Sequence, residues 1–176
     1  MPPIALTFQN VQQQWVQAFP ELRQPYAQLA SDDVFGNDGS PGHYILVEQL
    51  FAYYIEILLA LPESPRRDSA LQKVFDFIET MFKEGDDDVV GLAQIGIIEG
   101  REQWWFQRAL PFVGPLWRSH ATSMGERYWE PALSAGPADS PPPAMTLHDL
   151  FGVREVIAQQ LVADGVQLDD IPDISV

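Results

Sequence analysis

Asp86, Asp87 and Asp88 set three carboxylates side by side between Gly85 and Val89. Such a run suits a metal site, a catalytic cluster, a docking surface or a helix start. A calcium loop needs Asp or Asn at alternate positions around a central Gly. Neither this run nor the Asp32, Asp33, Asp38 loop (Ser31 to Gly42) has that spacing. Adjacent carboxylates do not converge on one ion without help from other segments. The pattern instead makes Asp86 an N-cap and puts Asp87 and Asp88 in a first helical turn, facing the positive end of the helix dipole. Docking through solvent-facing carboxylates is a compatible second role.

Other chemistry finds less support. His43, His120 and His148 form no close pair and no His-Glu-x-x-His motif, which argues against a zinc hydrolase. Ser119 and His120 are neighbours in the chain, a placement that does not aim a hydroxyl at its base. No glycine-rich phosphate loop is present. Glu56 and Glu99 interrupt apolar helical runs, and carboxylates in such places either pair or take a raised pKa. Arg101 and Arg108 lie near Glu99 in the chain, so a structural ion pair is expected rather than an acid–base dyad. Trp104 and Trp105 point about 100° apart on a helix. Core packing suits both, yet one of them is free to anchor an interface, and Trp105 is the candidate.

The elements that must position these groups read as helices. Val11, Trp15 and Phe19 recur at spacing four, and His43 to Leu61 forms the longest helical run, with Glu48, Gln49, Tyr53 and Glu56 in one polar sector. Leu71, Val74, Phe75, Ile78, Met81 and Phe82 give the clearest amphipathic pattern, opened by Ser64 and Pro65 and closed by Gly85, expected as a left-handed cap. Gly91 and Gly96 suit a closely packed helix over Val89 to Gly100. Leu150, Val153, Ile157 and Leu161 mark a last helix, with Thr146 and Asp149 at capping-box spacing. The expected architecture is all-α: a single-domain helical bundle or short irregular α-solenoid. It divides into a helical core over 1–133, a Pro-rich linker over 134–145, a C-terminal helix over 146–163 packing on the core, and an acidic tail over 164–176.

Composition narrows the partners. The chain's 176 residues suffice for one domain with a real core, since 46% are hydrophobic. With 25 acidic against 10 basic residues, the formal charge is −15. Nucleic acid and anionic membrane surfaces are disfavoured, because phosphate binding draws on Lys and Arg. A basic protein partner is favoured, unless the charge serves solubility alone. No cysteine is present, which removes disulfides, thiolate nucleophiles and Cys-based zinc sites. The N-terminal residues lack the basic and apolar regions of a signal peptide, and the His43 to Leu61 run is broken by Glu48 and Glu56. A cytoplasmic protein is expected, with no cofactor and no metal.

The stretches Leu50 to Leu61, Val74 to Phe82, Lys83 to Gly100 and Leu110 to Pro115 resemble an uncharacterised bacterial domain family of small acidic helical proteins. The likeness covers roughly 43–120. Some members are met beside polymorphic-toxin genes as presumed immunity proteins. The resemblance therefore implies an intracellular immunity protein that occludes a cognate toxin. Acidic charge makes Asp86, Asp87, Asp88, Asp32, Asp33 and Asp38 the candidate contacts, and aromatic character adds Trp105. The resemblance implies no catalytic residues. The alternative is a non-enzymatic adaptor or scaffold that holds a basic protein without inhibiting it. A small hydrolase using Glu and His has the least support.

Overall fold

The computed structural model describes residues 5–30, 42–135 and 149–171. Among them the architecture is all-α. Helices α1 (Val11–Ala18) and α2 (Arg23–Ala30) are joined by a short 3₁₀ turn at Pro20–Leu22. A continuous helical rod follows: α3 (His43–Leu46), a π-helical segment (Val47–Ala52) and α4 (Tyr53–Ala60). Next come α5 (Pro65–Glu84), then α6 (Asp87–Ala93), which runs into a second π segment (Gln94–Ile98). Helices α7 (Gln103–Ala109), α8 (Pro115–Met124), α9 (Trp129–Ser134) and α10 (Val153–Ala163) complete the order.

The starts and stops follow sequence chemistry. The Ser64 hydroxyl accepts from Arg67 N at 3.1 Å and Pro65 supplies N1 of α5. All six apolar positions of the α5 pattern, Leu71 to Phe82, are buried. Each such side chain contributes roughly 1.5–3 kcal/mol of apolar transfer on burial. Asp149 acts as a cap. Its two oxygens accept from Val153 N (3.0 Å) and Arg154 N (3.1 Å), so it satisfies the donors that open α10 itself. Thr146, His148, the 136–145 part of the expected linker and residues 172–176 of the tail lie outside the described residues. Ser134 is the last residue of α9 rather than the start of a linker.

The His43–Ala60 rod sits at the centre. By length and composition it would suffice to cross a membrane, and 72% of it is buried inside the protein. Its segments pack against α2, α5, α7 and the second π segment. This corrects the expected polar sector: Glu48 is exposed, whereas Gln49, Tyr53 and Glu56 are buried. A rod surrounded on most sides has no solvent face to give them. Helix α10 packs back on α2, near the other end of the described chain. In a solenoid each unit touches only its neighbours. The arrangement is thus a bundle around a central helix, with one continuous apolar core.

An aromatic cluster fills one side of that core. Trp105 and Trp117 stack with ring centroids 6.2 Å apart, Trp117 meets Trp129 edge-on at 5.0 Å, and Phe75 and Phe106 close the group. Helix α8 enters beside it on a borrowed cap: Glu79 of α5 accepts from Leu116 N (2.6 Å) and Trp117 N (3.2 Å). A Cβ at Gly114 would collide with the Glu79 carboxylate, which accounts for the glycine there.

Candidate protein-interaction face

The three adjacent aspartates separate by task. Asp86 is the N-cap of α6: Oδ1 accepts from Val89 N at 2.9 Å, and Oδ2 accepts from Phe8 N at 3.0 Å. Its own N–H donates to Leu6 O at 3.2 Å, beside a single parallel bridge between Leu6 and Gly85. Gly85 is extended (φ −73°, ψ 150°), not left-handed as its position after α5 suggested. A Cβ there would clash with Met81 O and Val89, so the glycine serves close approach. Asp86 therefore pins the N-terminal segment to the α5–α6 corner.

Those backbone hydrogen bonds, Phe8 first and Val89 second, hold the Asp86 carboxyl below its ordinary pKa. A carboxyl depressed in the folded state adds stability that is fully present above the unfolded value, about 3.9, and is lost as pH falls through the lower folded value. Replacing Asp86 with Asn should flatten the acid limb of thermal stability between about pH 5 and pH 3. Unfolding midpoints of the two proteins over that range should converge as pH falls. A constant gap would assign the loss to something other than this carboxylate.

Asp87 and Asp88 are left exposed in the first turn. One turn on, Gly91 lies against Tyr44 of α3: a Cβ there would sit 3.7 Å from the Tyr44 hydroxyl. Another turn brings Ile95. Tyr44, at 44% exposure, and Ile95, at 51%, are among the large apolar side chains the fold leaves in water. They line a shallow pocket of about 330 Å³ with Glu48, Glu99 and Gly100. Its Gly96 floor lies between the two π segments, which meet where Gly96 faces Val47 with no room for a Cβ. π-helical turns are rare and often mark functional sites. Here they widen two neighbouring helices at one place and leave an aromatic and an aliphatic group exposed within an acidic margin.

Arg101, largely buried, also lines this pocket. Its Nε donates to Ile97 O (3.0 Å) and Nη2 to Gly96 O (2.9 Å), terminating the second π segment. Burial lowers its pKa, while Glu56, then Glu48, Glu126 and Glu99, oppose the shift. Both arginines, expected beside Glu99, also donate to carbonyls at helix ends, while Glu99 still acts on Arg101 through charge. Glu99 is exposed, and Arg108 donates to Leu59 O at 2.8 Å, closing α4.

The remaining candidates fall elsewhere. Trp105 is 1% exposed inside the aromatic cluster, so it offers no area to a partner. The apolar anchors of the face are Tyr44 and Ile95 instead. Neither stands out in sequence, because a Tyr or Ile on an apolar helix reads as core. Asp32, Asp33 and Asp38 lie outside the described residues. His43 stacks on Phe8 at 3.9 Å, and His120 stacks on Phe82 at 4.1 Å with Nδ1 at 2.8 Å from the Gln94 amide. No group of three or more His, Asp or Glu is arranged to hold a metal among the described residues.

Comparison with known families adds one result. The model of a family described as a domain of unknown function (DUF7674) matches residues 13–130. The chain belongs to this family. The matched span contains the whole 43–120 stretch and extends it to α1 and α2 on one side and α9 on the other. Of the face, Tyr44, Glu48, Asp87, Asp88, Ile95 and Glu99 all fall within this DUF7674 span, while α10 falls beyond it. No curated protein and no solved structure matches the chain.

Proposed function

We propose that this DUF7674 protein is a non-enzymatic binding domain that occludes a basic protein partner, in the manner of an immunity protein that blocks a cognate bacterial toxin. One observation carries the reading: exposed Tyr44 and Ile95 line one pocket with Glu48 and Glu99, and exposed Asp87 and Asp88 open the helix that runs into Ile95. Apolar anchors inside a charged rim are how protein interfaces concentrate affinity. The acidic rim and the chain's charge of −15 would steer a basic cleft toward it. The toxin form of the partner draws on the family resemblance, not on this geometry.

The test begins with affinity capture from the native cell and identification of the bound protein. Its association with the full chain is then followed across a salt series. Reversing Asp87 and Asp88 to Lys should slow association roughly tenfold at low salt, with the gap closing as salt rises. Tyr44→Ala should weaken binding by on the order of 2 kcal/mol, about thirtyfold in Kd, mainly through faster dissociation. Loss of the partner's own activity on binding separates occlusion from an adaptor role. Unchanged kinetics in both variants would remove this face from the interface.

A further inference from the structure

A second site lies between the Pro20–Leu22 turn, the connection from α4 to α5, and the stretch after α10. It is an open cleft of about 870 Å³ that shares no lining residue with the Tyr44–Ile95 pocket. Sites for organic ligands typically occupy about 300–1,000 Å³. The floor is apolar, formed by buried Leu58, Leu61 and Leu161.

The charges around that floor are uneven. Arg67 is committed: its guanidinium pairs with Asp68 at 2.7 Å and donates to Leu61 O at 3.1 Å. Arg66 is exposed, with its guanidinium beside Gly165. Against it stand the carboxylates of Glu21, Glu63, Asp164 and Asp170. Glu21 and Asp164 line the cleft together with Tyr54. The Tyr54 hydroxyl donates to Glu21 at 3.3 Å, and burial together with Glu21 and Asp164 pushes the phenol pKa upward. Tyr54 therefore stays a donor to Glu21, and the Gln160 amide lies 3.5 Å from both Asp164 oxygens, so each carboxylate keeps acceptor capacity for a further donor.

We propose that this cleft binds an organic cation carried on an apolar body, its ammonium seated between Glu21 and Asp164 and its hydrocarbon over Leu58, Leu61 and Leu161. An anionic ligand meets the same carboxylates with the wrong sign. A neutral one leaves them without the charge-assisted bonds that an ammonium supplies. Arg66 is the built-in competitor: its guanidinium lies beside Gly165, the residue after Asp164, and a bound ammonium must oppose it. One wall of the cleft comes from 160–170, beyond the family match, so the full site needs α10 in place.

The probe is phenylbutylamine titrated into the full chain, with phenylbutanol and phenylbutyrate as neutral and anionic counterparts, read from the methyl resonances of the three floor leucines. The amine should bind about tenfold more tightly than the alcohol, and the carboxylate should not bind measurably. Glu21→Gln with Asp164→Asn should abolish the preference for the amine. Arg66→Ala, at an exposed side chain, should tighten the amine and leave the alcohol unchanged. Equal binding of amine and alcohol overturns the proposal, as does an Arg66→Ala variant that binds the amine no better. An acetylated Leu-Lys-Leu amide peptide is titrated alongside. If only the peptide shifts the leucine methyls, the cleft is a polypeptide groove and the small-ligand assignment fails.

Discussion

Trp105→Ala should unfold this protein more readily than any surface substitution, losing about 3–5 kcal/mol of stability. The indole is enclosed on several sides: Phe75 at 6.1 Å, Phe106 at 5.6 Å and Trp117 at 6.2 Å between ring centroids. Truncation removes a large transfer free energy and leaves a cavity lined by rigid rings, which cannot collapse to fill it. Domains of ordinary size are stable by only about 5–15 kcal/mol, so a loss of this size shifts the whole unfolding curve. Trp105→Phe should cost much less. The indole N–H has no hydrogen-bond partner among the described residues, so replacing it sacrifices no polar contact. Urea unfolding of both variants, with Tyr44→Ala as the surface control, gives the comparison. Near-wild-type stability for Trp105→Ala, with weakened partner binding, would restore Trp105 as the interface anchor and displace Tyr44.

The contrast between Trp105 and Tyr44 shows where local pattern stops being informative. On α5 the apolar residues repeat every third or fourth position against charged neighbours, so its buried face is legible from spacing alone. Asp86 was legible for a similar reason: the N-cap bond closes over three residues, from its own side chain to Val89 N. Its second bond, to Phe8, spans 78 residues and leaves no local trace. Glu79 is the same kind of case, a residue on the polar face of α5 that caps α8 from 37 residues away. The central rod misled for a different reason. A π segment changes the angular step between side chains, so a 3.6-residue wheel assigns Gln49, Tyr53 and Glu56 to a face that does not exist. Of the candidate face's acidic residues, Asp87 and Asp88 were readable as docking charge and Glu48 as polar, whereas Glu99 was expected in an ion pair. The apolar half of the face was not readable, because exposure of Tyr44 and Ile95 depends on what the neighbouring helices leave uncovered.

Arg101→Met is the second large effect, expected to cost about 3–5 kcal/mol although the replacement is unbranched and suited to an apolar interior. The guanidinium is buried and satisfies two carbonyls, Gly96 O and Ile97 O, at the point where the second π segment ends. Methionine offers them no donor, and a buried acceptor left unsatisfied costs about 1–3 kcal/mol. The substitution also withdraws the positive charge that faces Glu56, a carboxylate at 0% exposure. Removing a buried positive charge from near a buried carboxylate costs more than replacing both groups by neutral ones. Glu56→Gln should therefore recover part of the Arg101→Met loss in the double variant, and a double-mutant cycle of unfolding free energies measures the coupling. Strict additivity would mean that Arg101 acts only as a helix terminus and that Glu56 is held by other groups. The same cycle bears on the interaction face. Gly96 is both the carbonyl that Arg101 holds and the floor of the pocket between Tyr44 and Ile95. If Arg101 sets the shape of that floor, the single variant should weaken partner binding even at temperatures where it remains folded. Arg101→Lys should restore the charge opposite Glu56 but not the paired carbonyl contacts, since an ammonium lacks the planar fork that reaches both.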